Sequence, residues 1–250
     1  MTGVIVVIGA SAGIGLATAR RFAAAGQEVV LVGRREKRLR QVTEAINAEV
    51  PGKASFCAQD MSLSSGAEAL AETLRQQKRS VRAIVCCAGA APQTERATVA
   101  QIEEEWQATF QANVLPTVLP VEALLPLMED GGSIVLYSSI AVYRGLAVGG
   151  SGAYGAVKAA MHSLTHTWAR RLSERDINVN AIAPGYIAET EIFGDMMTEA
   201  YYDRLVDETL LKRPGFPRDT AGLGFFLCSS EGHYITSQII QINGGAHHGM

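Results

Sequence analysis

Tyr154 and Lys158 stand four residues apart in a stretch of helical character, so a phenol and an ammonium share one helix face. A phenol titrates near ~10 in water, and a neighbouring cation favours its ionised form. A tyrosine tuned in this way can give or take a proton at a carbonyl or alcohol oxygen. Alone, Tyr-x-x-x-Lys is a common surface pattern, and its company is what gives it weight. Ser138 and Ser139 close an apolar strand-like run, the place where open α/β sheets put their ligand crevice. Asn113 lies in the long helical stretch before that run, beside Val114 and Pro116.

A second group of residues could bind phosphate. Gly9-Ala10-Ser11-Ala12-Gly13-Ile14-Gly15 follows a short apolar run and opens a helical segment. Glycine there allows a tight turn and close approach to a pyrophosphate, which the N–H groups and partial positive charge of the helix start would hold. The spacing differs from the general Gly-x-Gly-x-x-Gly fingerprint, so its position between first strand and first helix is what makes it informative. The second strand ends at Gly33, where an acid would hold the free 2′-hydroxyl of an adenosine ribose. Arg34 and Arg35 follow instead, and guanidiniums suit a 2′-phosphate. NADP(H) is therefore expected over NAD(H).

The elements that must position these groups alternate along the chain. Strand-like runs fall at residues 3–8, 28–32, 53–57, 81–87, 133–137, 178–182 and 238–242. Helical patterns occupy 13–25, 36–48, 63–77, 153–172 and 218–229, with a long one at about 99–128, bent near Pro116 and Pro120. An irregular stretch is expected at 188–217. Such alternation implies a parallel, doubly wound α/β sheet of about seven strands with helices on both faces. A length of 250 residues without a linker-like segment or repeat fits one domain, residues 1–250.

Composition narrows the function class. The formal net charge is -3 with Lys and Arg scattered, which excludes a nucleic-acid binder. Cys57, Cys86, Cys87 and Cys228 lack metal-site spacing and disulfide density, so they are read as buried thiols. His162 and His166 have helical metal spacing without a third ligand nearby, and are read as packing residues; no metal is expected. Apolar runs are strand-length or broken by Gly, so neither a signal peptide nor a membrane span is read, and a cytoplasmic setting is the expectation.

With these residues in order, the chain resembles the short-chain dehydrogenase/reductase family in its one-domain, ketoreductase-like form. The resemblance runs through the Gly9–Gly15 turn, Asp60, Ala88-Gly89, Asn113, Ser139, Tyr154-Gly155-Ala156-Val157-Lys158, Pro184-Gly185 and Asn243-Gly244-Gly245. It implies a Rossmann-type fold and a catalytic set of Asn113, Ser139, Tyr154 and Lys158. In that set Tyr154 is the general acid and Ser139 bonds the substrate carbonyl. Lys158 binds the nicotinamide ribose and lowers the Tyr154 pKa, and Asn113 holds a relay water. The cofactor set it implies comprises Gly9, Ser11, Ala12, Gly13, Ile14, Gly15, Arg34, Arg35, Asp60, Met61, Ala88, Gly89, Tyr154, Lys158, Pro184, Gly185 and Ile187. A homodimer or homotetramer built on the two long helices is also implied.

Departures from the family pattern are local. Ile8 replaces a threonine, Cys86-Cys87 replace paired asparagines, and Ser237 and Asn243 replace a Gly and an Asp. The Ser139–Tyr154 interval is about two residues longer than usual, with the surplus in the loop at 148–152, so Ser138 remains an alternative to Ser139. The family's substrate lid would be residues 188–217, which hold Ile192, Phe193, Met196, Met197, Tyr201 and Tyr202, with Tyr143 and Tyr186 near the mouth. This points to a small-molecule ketone or alcohol that is bulky and apolar, such as an aromatic polyketide. A 3-oxoacyl group on an acyl carrier protein is the alternative, opposed by the acidic pair Glu129-Asp130. A non-catalytic NADP(H)-binding regulator is the alternative of another class.

Overall fold

All five residues of β1 (Val4–Ile8) are β-branched and all are buried, so this strand has no solvent face. Such a strand needs cover on both sides. The computed structural model, which describes residues 3–91, 98–145, 151–194 and 197–248, supplies it. Six more strands join β1: β2 (Val29–Gly33), β3 (Ala54–Ala58), β4 (Val81–Cys86), β5 (Met128–Tyr137), β6 (Asn178–Pro184) and β7 (Ile239–Ile242). Their order is β3-β2-β1-β4-β5-β6-β7, every neighbouring pair parallel. The order reverses between β1 and β4, the place where such sheets open a ligand crevice beyond their strand ends.

Helices cover the two faces by residue parity. Val4, Val6 and Ile8 point into a core that takes Leu70 and Leu74 of α3 (Ser64–Gln76) and Val121 of α5 (Leu115–Leu124). Met161 and Trp168 of α7 (Ala153–Arg171) complete that side. Ile5 and Val7 point the other way, against Phe22 of α1 (Gly13–Ala24), Leu39 and Ile46 of α2 (Glu36–Glu49) and Leu227 of α9 (Pro217–Leu227).

Two expected segments differ. The long helix expected at 99–128 is two helices, α4 (Val99–Asn113) and α5, parted at Val114, followed by a 3-10 turn at Leu125–Leu127. Pro116 falls in the first turn of α5, where its missing N–H is not needed. β5 then begins at Met128, five residues earlier than the pattern implied. By length and composition Val99–Leu127 could cross a membrane, yet here Val114, Val121 and Leu124 fill the core beside β1. The stretch at 188–217 is not wholly irregular: it contains α8 (Glu199–Asp207), capped by Thr198, whose Oγ1 accepts the Tyr201 N–H at 3.2 Å. That start signal, a Thr with a Glu in the next position, was present in the sequence. A further short helix, α6 (Ala141–Arg144), is one turn after β5.

Candidate active site

Backbone contacts shape the cofactor end of the crevice. Gly9 has φ +84°, and a Cβ there would lie 2.7 Å from the Ala88 N. A Cβ on Gly15 would lie 2.3 Å from the Gly9 carbonyl oxygen. Only glycine permits this folded turn. Helix α1 starts with no side-chain cap and no acid in its first turn, which leaves its N–H groups and partial positive charge facing the crevice. That geometry fits a pyrophosphate.

One cavity of about 840 Å³ runs from this turn to the lid. Every residue expected at the cofactor site lines it, as do Ser139, Tyr154 and Lys158. Asn113 is the exception among the expected residues, lying one layer behind. It is fully buried, and its Nδ2 donates to the Ala90 and Thr109 carbonyls at 2.7 and 2.9 Å. Its Oδ1 has no hydrogen-bond partner among the described residues and stands against Gly89, where a Cβ would meet it at 2.7 Å and the Lys158 Nζ at 3.0 Å. A buried, unpaired acceptor beside an ammonium has the chemistry of a water site.

The two serines at the end of β5 do different work. The Ser138 hydroxyl bonds the Lys158 carbonyl at 3.1 Å and shares a 2.9 Å hydrogen bond with His162 Nε2, tying β5 to α7. The Ser139 hydroxyl accepts the Ala141 N–H at 3.1 Å and hydrogen-bonds Tyr154. Ser139 is therefore the serine that meets the phenol. Lys158 is buried and donates to the Tyr137 carbonyl at 3.0 Å, with its Nζ 5.9 Å from the centre of the Tyr154 ring.

Burial dominates the electrostatics of the Tyr154–Lys158 pair. Burial pushes the Tyr154 phenol up to about 12, and the opposing influence is the Ser139 hydrogen bond rather than Lys158. Burial lowers the Lys158 ammonium to about 8. Tyr154 is thus a neutral phenol at physiological pH, ready to donate rather than to accept. The thiols stay protonated: burial raises Cys57 and Cys87 and lifts Cys86 and Cys228 to about 12. Among the described residues no group of His, Cys, Asp and Glu is arranged to hold a metal.

At the adenosine end the two arginines have partners the sequence did not reveal. Arg35 donates to the Ser11 hydroxyl at 2.8 Å and pairs with Glu191 at 2.8 Å, while Arg34 lies 3.8 Å from Asp60. Burial acts to raise the Asp60 pKa, but the Ser62 N–H and hydroxyl, with Arg34, outweigh it and hold the carboxyl below its usual value. Ser237, at a position where the family has Gly, adopts φ +60° and is held by a 2.8 Å hydrogen bond to His166 Nδ1.

The lid divides the expected apolar residues. Ile192, Phe193, Tyr186 and Tyr201 line the large cavity. Tyr202 packs edge-on against Tyr186 at 5.8 Å, and Met197 sits in a smaller neighbouring pocket with its sulfur 3.9 Å from the Tyr186 hydroxyl. Met196, and the 146–150 part of the loop before α7, lie outside the described residues. Tyr143 does not itself line the cavity: its ring stacks on His247 at 5.1 Å and lies tilted against His162 at 5.5 Å, beside the lining residues Arg144 and Ala246. Missed entirely were Arg144, Arg204, Leu205 and Glu208, which also line the cavity. The spacing of Tyr201, Arg204, Leu205 and Glu208 on one helical face was the signal that could have found three of them.

A family model described as enoyl-(acyl carrier protein) reductase matches residues 9–247. Dehydrogenase/reductase SDR family member 4 of Oryctolagus cuniculus is 30% identical over 97% of this chain and 93% of its own length. The chain belongs to the short-chain dehydrogenase/reductase (SDR) family. Oxidoreductase asL5 of Sarocladium schorii is 31% identical over 96% of this chain and 94% of that protein. Among solved structures, an SDR from Brucella melitensis is 29% identical with a TM-score of 0.89, covering 99% of this chain and 98% of its own. L-sorbose reductase from Gluconobacter frateurii, complexed with NADPH and L-sorbose, is 27% identical with a TM-score of 0.86, covering 98% of each chain. This SDR protein therefore has the family's Rossmann α/β fold and is an oxidoreductase using a nicotinamide cofactor and a small-molecule substrate.

Proposed function

We propose that this SDR protein is an NADPH-dependent reductase that converts a bulky, mainly apolar ketone to a secondary alcohol, with Tyr154 as proton donor. The observation that carries the reading is the hydrogen-bonded Ser139–Tyr154 pair in one cavity with the glycine turn and an apolar lid. The nicotinamide, when bound, supplies the hydride. Ser139 orients the carbonyl oxygen toward the phenol, and Tyr154 delivers its proton to that oxygen as negative charge develops there. Lys158, cationic below about pH 8, holds the nicotinamide ribose and stabilises the phenolate left behind. A water on the Asn113 Oδ1 then feeds a proton back past Lys158. Asp60 would contact the adenine, Ala88-Gly89 would line the ribose path, and Pro184, Gly185 and Ile187 would face the nicotinamide, with Met61 also in the cofactor set.

Arg34 and Arg35 support the choice of NADPH, since a 2′-phosphate is a better partner for Arg34 than a carboxylate 3.8 Å away, and for Arg35 than the exposed Glu191. Exposed Val99, Trp106 and Phe110 on α4 support assembly as a homodimer or homotetramer. The acidic pair argues less against a carrier-bound substrate than its charge implied, because Asp130 accepts from Arg175 at 2.9 Å.

The test is a panel of aromatic and aliphatic ketones with NADPH, run beside Tyr154→Phe. That change keeps the ring and removes the donor, so turnover should fall roughly a hundredfold or more while NADPH still binds. Undiminished turnover in the variant defeats the mechanism. NADPH binding without turnover of any ketone by the unmodified protein favours a non-catalytic regulator.

A further inference from the structure

Apart from Thr190 and Glu191, which face the cofactor end where Glu191 pairs with Arg35, the lid wall of the cavity is charged at one place. Helix α8 turns Tyr201, Arg204 and Leu205 to the cavity, and Glu208 follows one turn on. Arg144, at the end of the turn after Ser139, reaches the same spot from the sheet side. Glu208 is shared: its Oε2 accepts from Arg144 Nη2, and its Oε1 accepts from Arg204 Nε at 3.4 Å. Arg144 Nη1 donates to the Ala246 carbonyl at 3.1 Å, so this guanidinium is engaged at both ends. Two guanidiniums thus meet one carboxylate, and the three charged side chains carry a net positive charge at the cavity wall.

An ordinary i,i+4 helix pair accounts for Arg204 with Glu208 alone. It does not account for a Glu208 already bonded to Arg144, a residue 64 positions away. Nor does Arg204 use its fork: among the described residues, its two terminal amino groups have no hydrogen-bond acceptor. A half-exposed guanidinium on an apolar wall, with those donors free, matches a planar anion.

We propose that the substrate carries a carboxylate in addition to its ketone, and that Arg204 receives it, with Glu208 and Arg144 fixing the guanidinium in place. This rests on the ketone-reductase reading and names the substrate class within it: an amphipathic oxo acid with its apolar body against Tyr186, Phe193 and Leu205.

The probe is a matched pair, para-acetylbenzoate and its methyl ester, each assayed with NADPH by the full protein. The acid should have a kcat/KM about tenfold above the ester, the lower end for a charge-assisted contact because the Arg204 side chain is 51% exposed and screened by water. The gap should narrow in high salt. Arg204→Gln should close it by lowering the acid alone, Arg204→Lys should keep part of it, and Glu208→Gln should widen it. The opposite signs at Arg204 and Glu208 separate recognition from general damage to the lid. An acid-to-ester ratio unchanged by Arg204→Gln overturns the proposal. If neither compound is reduced, the reductase reading fails on this probe, and calorimetric titration of both compounds into the NADPH-loaded protein decides the carboxylate site separately. Tighter acid binding that Arg204→Gln abolishes supports it, and equal binding of acid and ester overturns it.

Discussion

The two ends of the cavity are built from different materials. At the cofactor end the shape is set by close backbone approach: Gly15 lies against the Gly9 main chain, Gly9 against that of Ala88, and Gly89 against the side chains of Asn113 and Lys158. At the substrate end the shape is set by side chains: Tyr186, Phe193 and Tyr201 lean on one another at 5.6 and 6.0 Å, and Arg144, Arg204 and Glu208 share their charges. A backbone-built site accepts one ligand geometry and few substitutions. A site built from side chains on a lid can change its ligand without disturbing the sheet.

Substituting each end in turn sharpens that contrast. Gly15→Ala would place a Cβ 2.3 Å from the Gly9 carbonyl oxygen, a clash with backbone that only movement of the turn relieves. Such overpacking costs about 1–3 kcal/mol in stability. By misaligning the helix-start N–H groups it should also weaken NADPH binding by roughly ten- to a hundredfold. Phe193→Ala, in the half-buried lid, should leave NADPH affinity unchanged and alter the preference among ketones. Calorimetric titration of NADPH into both variants, with a thermal melt, checks the pair. Equal loss of cofactor affinity in both would mean that the two ends are not separable.

The same division explains what was readable in the sequence. The parallel, doubly wound sheet followed from alternation and from uninterrupted apolar runs such as Val4–Ile8, because burial on both faces leaves that mark, whereas the strand order came only with the structure. The glycine turn, Ser139, Tyr154 and Lys158 were legible because they sit at fixed offsets on regular elements. The Ser138–Ser139 ambiguity was not resolvable from spacing, since both hydroxyls end the same strand and only the turn at α6 decides which one meets Tyr154. Residues joined through tertiary pairing were invisible: Arg35 with Glu191, and Arg144 with Glu208, bring together segments separated by more than sixty positions. The ring partners of Tyr143 were invisible for the same reason, lying on α7 and at the C-terminal end.

Cofactor choice tests the cofactor end where side chains do intervene. NADPH should exceed NADH by at least about tenfold in kcat/KM, the scale of one charge-assisted contact. Arg34→Ala should remove most of that preference while leaving NADH kinetics nearly untouched, because Arg34 touches no part of the turn. Arg35→Ala should weaken both cofactors, since Arg35 also donates to Ser11 within the turn. Glu191→Gln should increase the NADPH preference by releasing Arg35 from its lid partner. Equal use of both cofactors by the unmodified protein would show the arginines to be a solvated helix start.

The smallest expected effect is on pH dependence, and it probes the junction of the two ends. Burial lowers the Lys158 ammonium to about 8 and raises the Tyr154 phenol to about 12. Reduction needs Tyr154 protonated, which holds across the working range, and Lys158 cationic, which fails as pH rises through about 8. The rate of ketone reduction at low substrate should therefore fall about fourfold between pH 7 and 8.5, as expected for loss of one proton near 8. Folding stability carries the opposite sign. Between about 8 and the ordinary lysine value of 10.5 the unfolded chain binds a proton that the folded chain does not, so stability of the cofactor-free protein should rise with pH across that window. Above about 10, the Tyr154 proton is retained only in the folded chain, and stability should decline again toward 12. Lys158→Met should remove both the kinetic inflection and the stability rise. A rate profile flat to pH 9 in the unmodified protein would place the Lys158 proton elsewhere and detach it from the Tyr154 step.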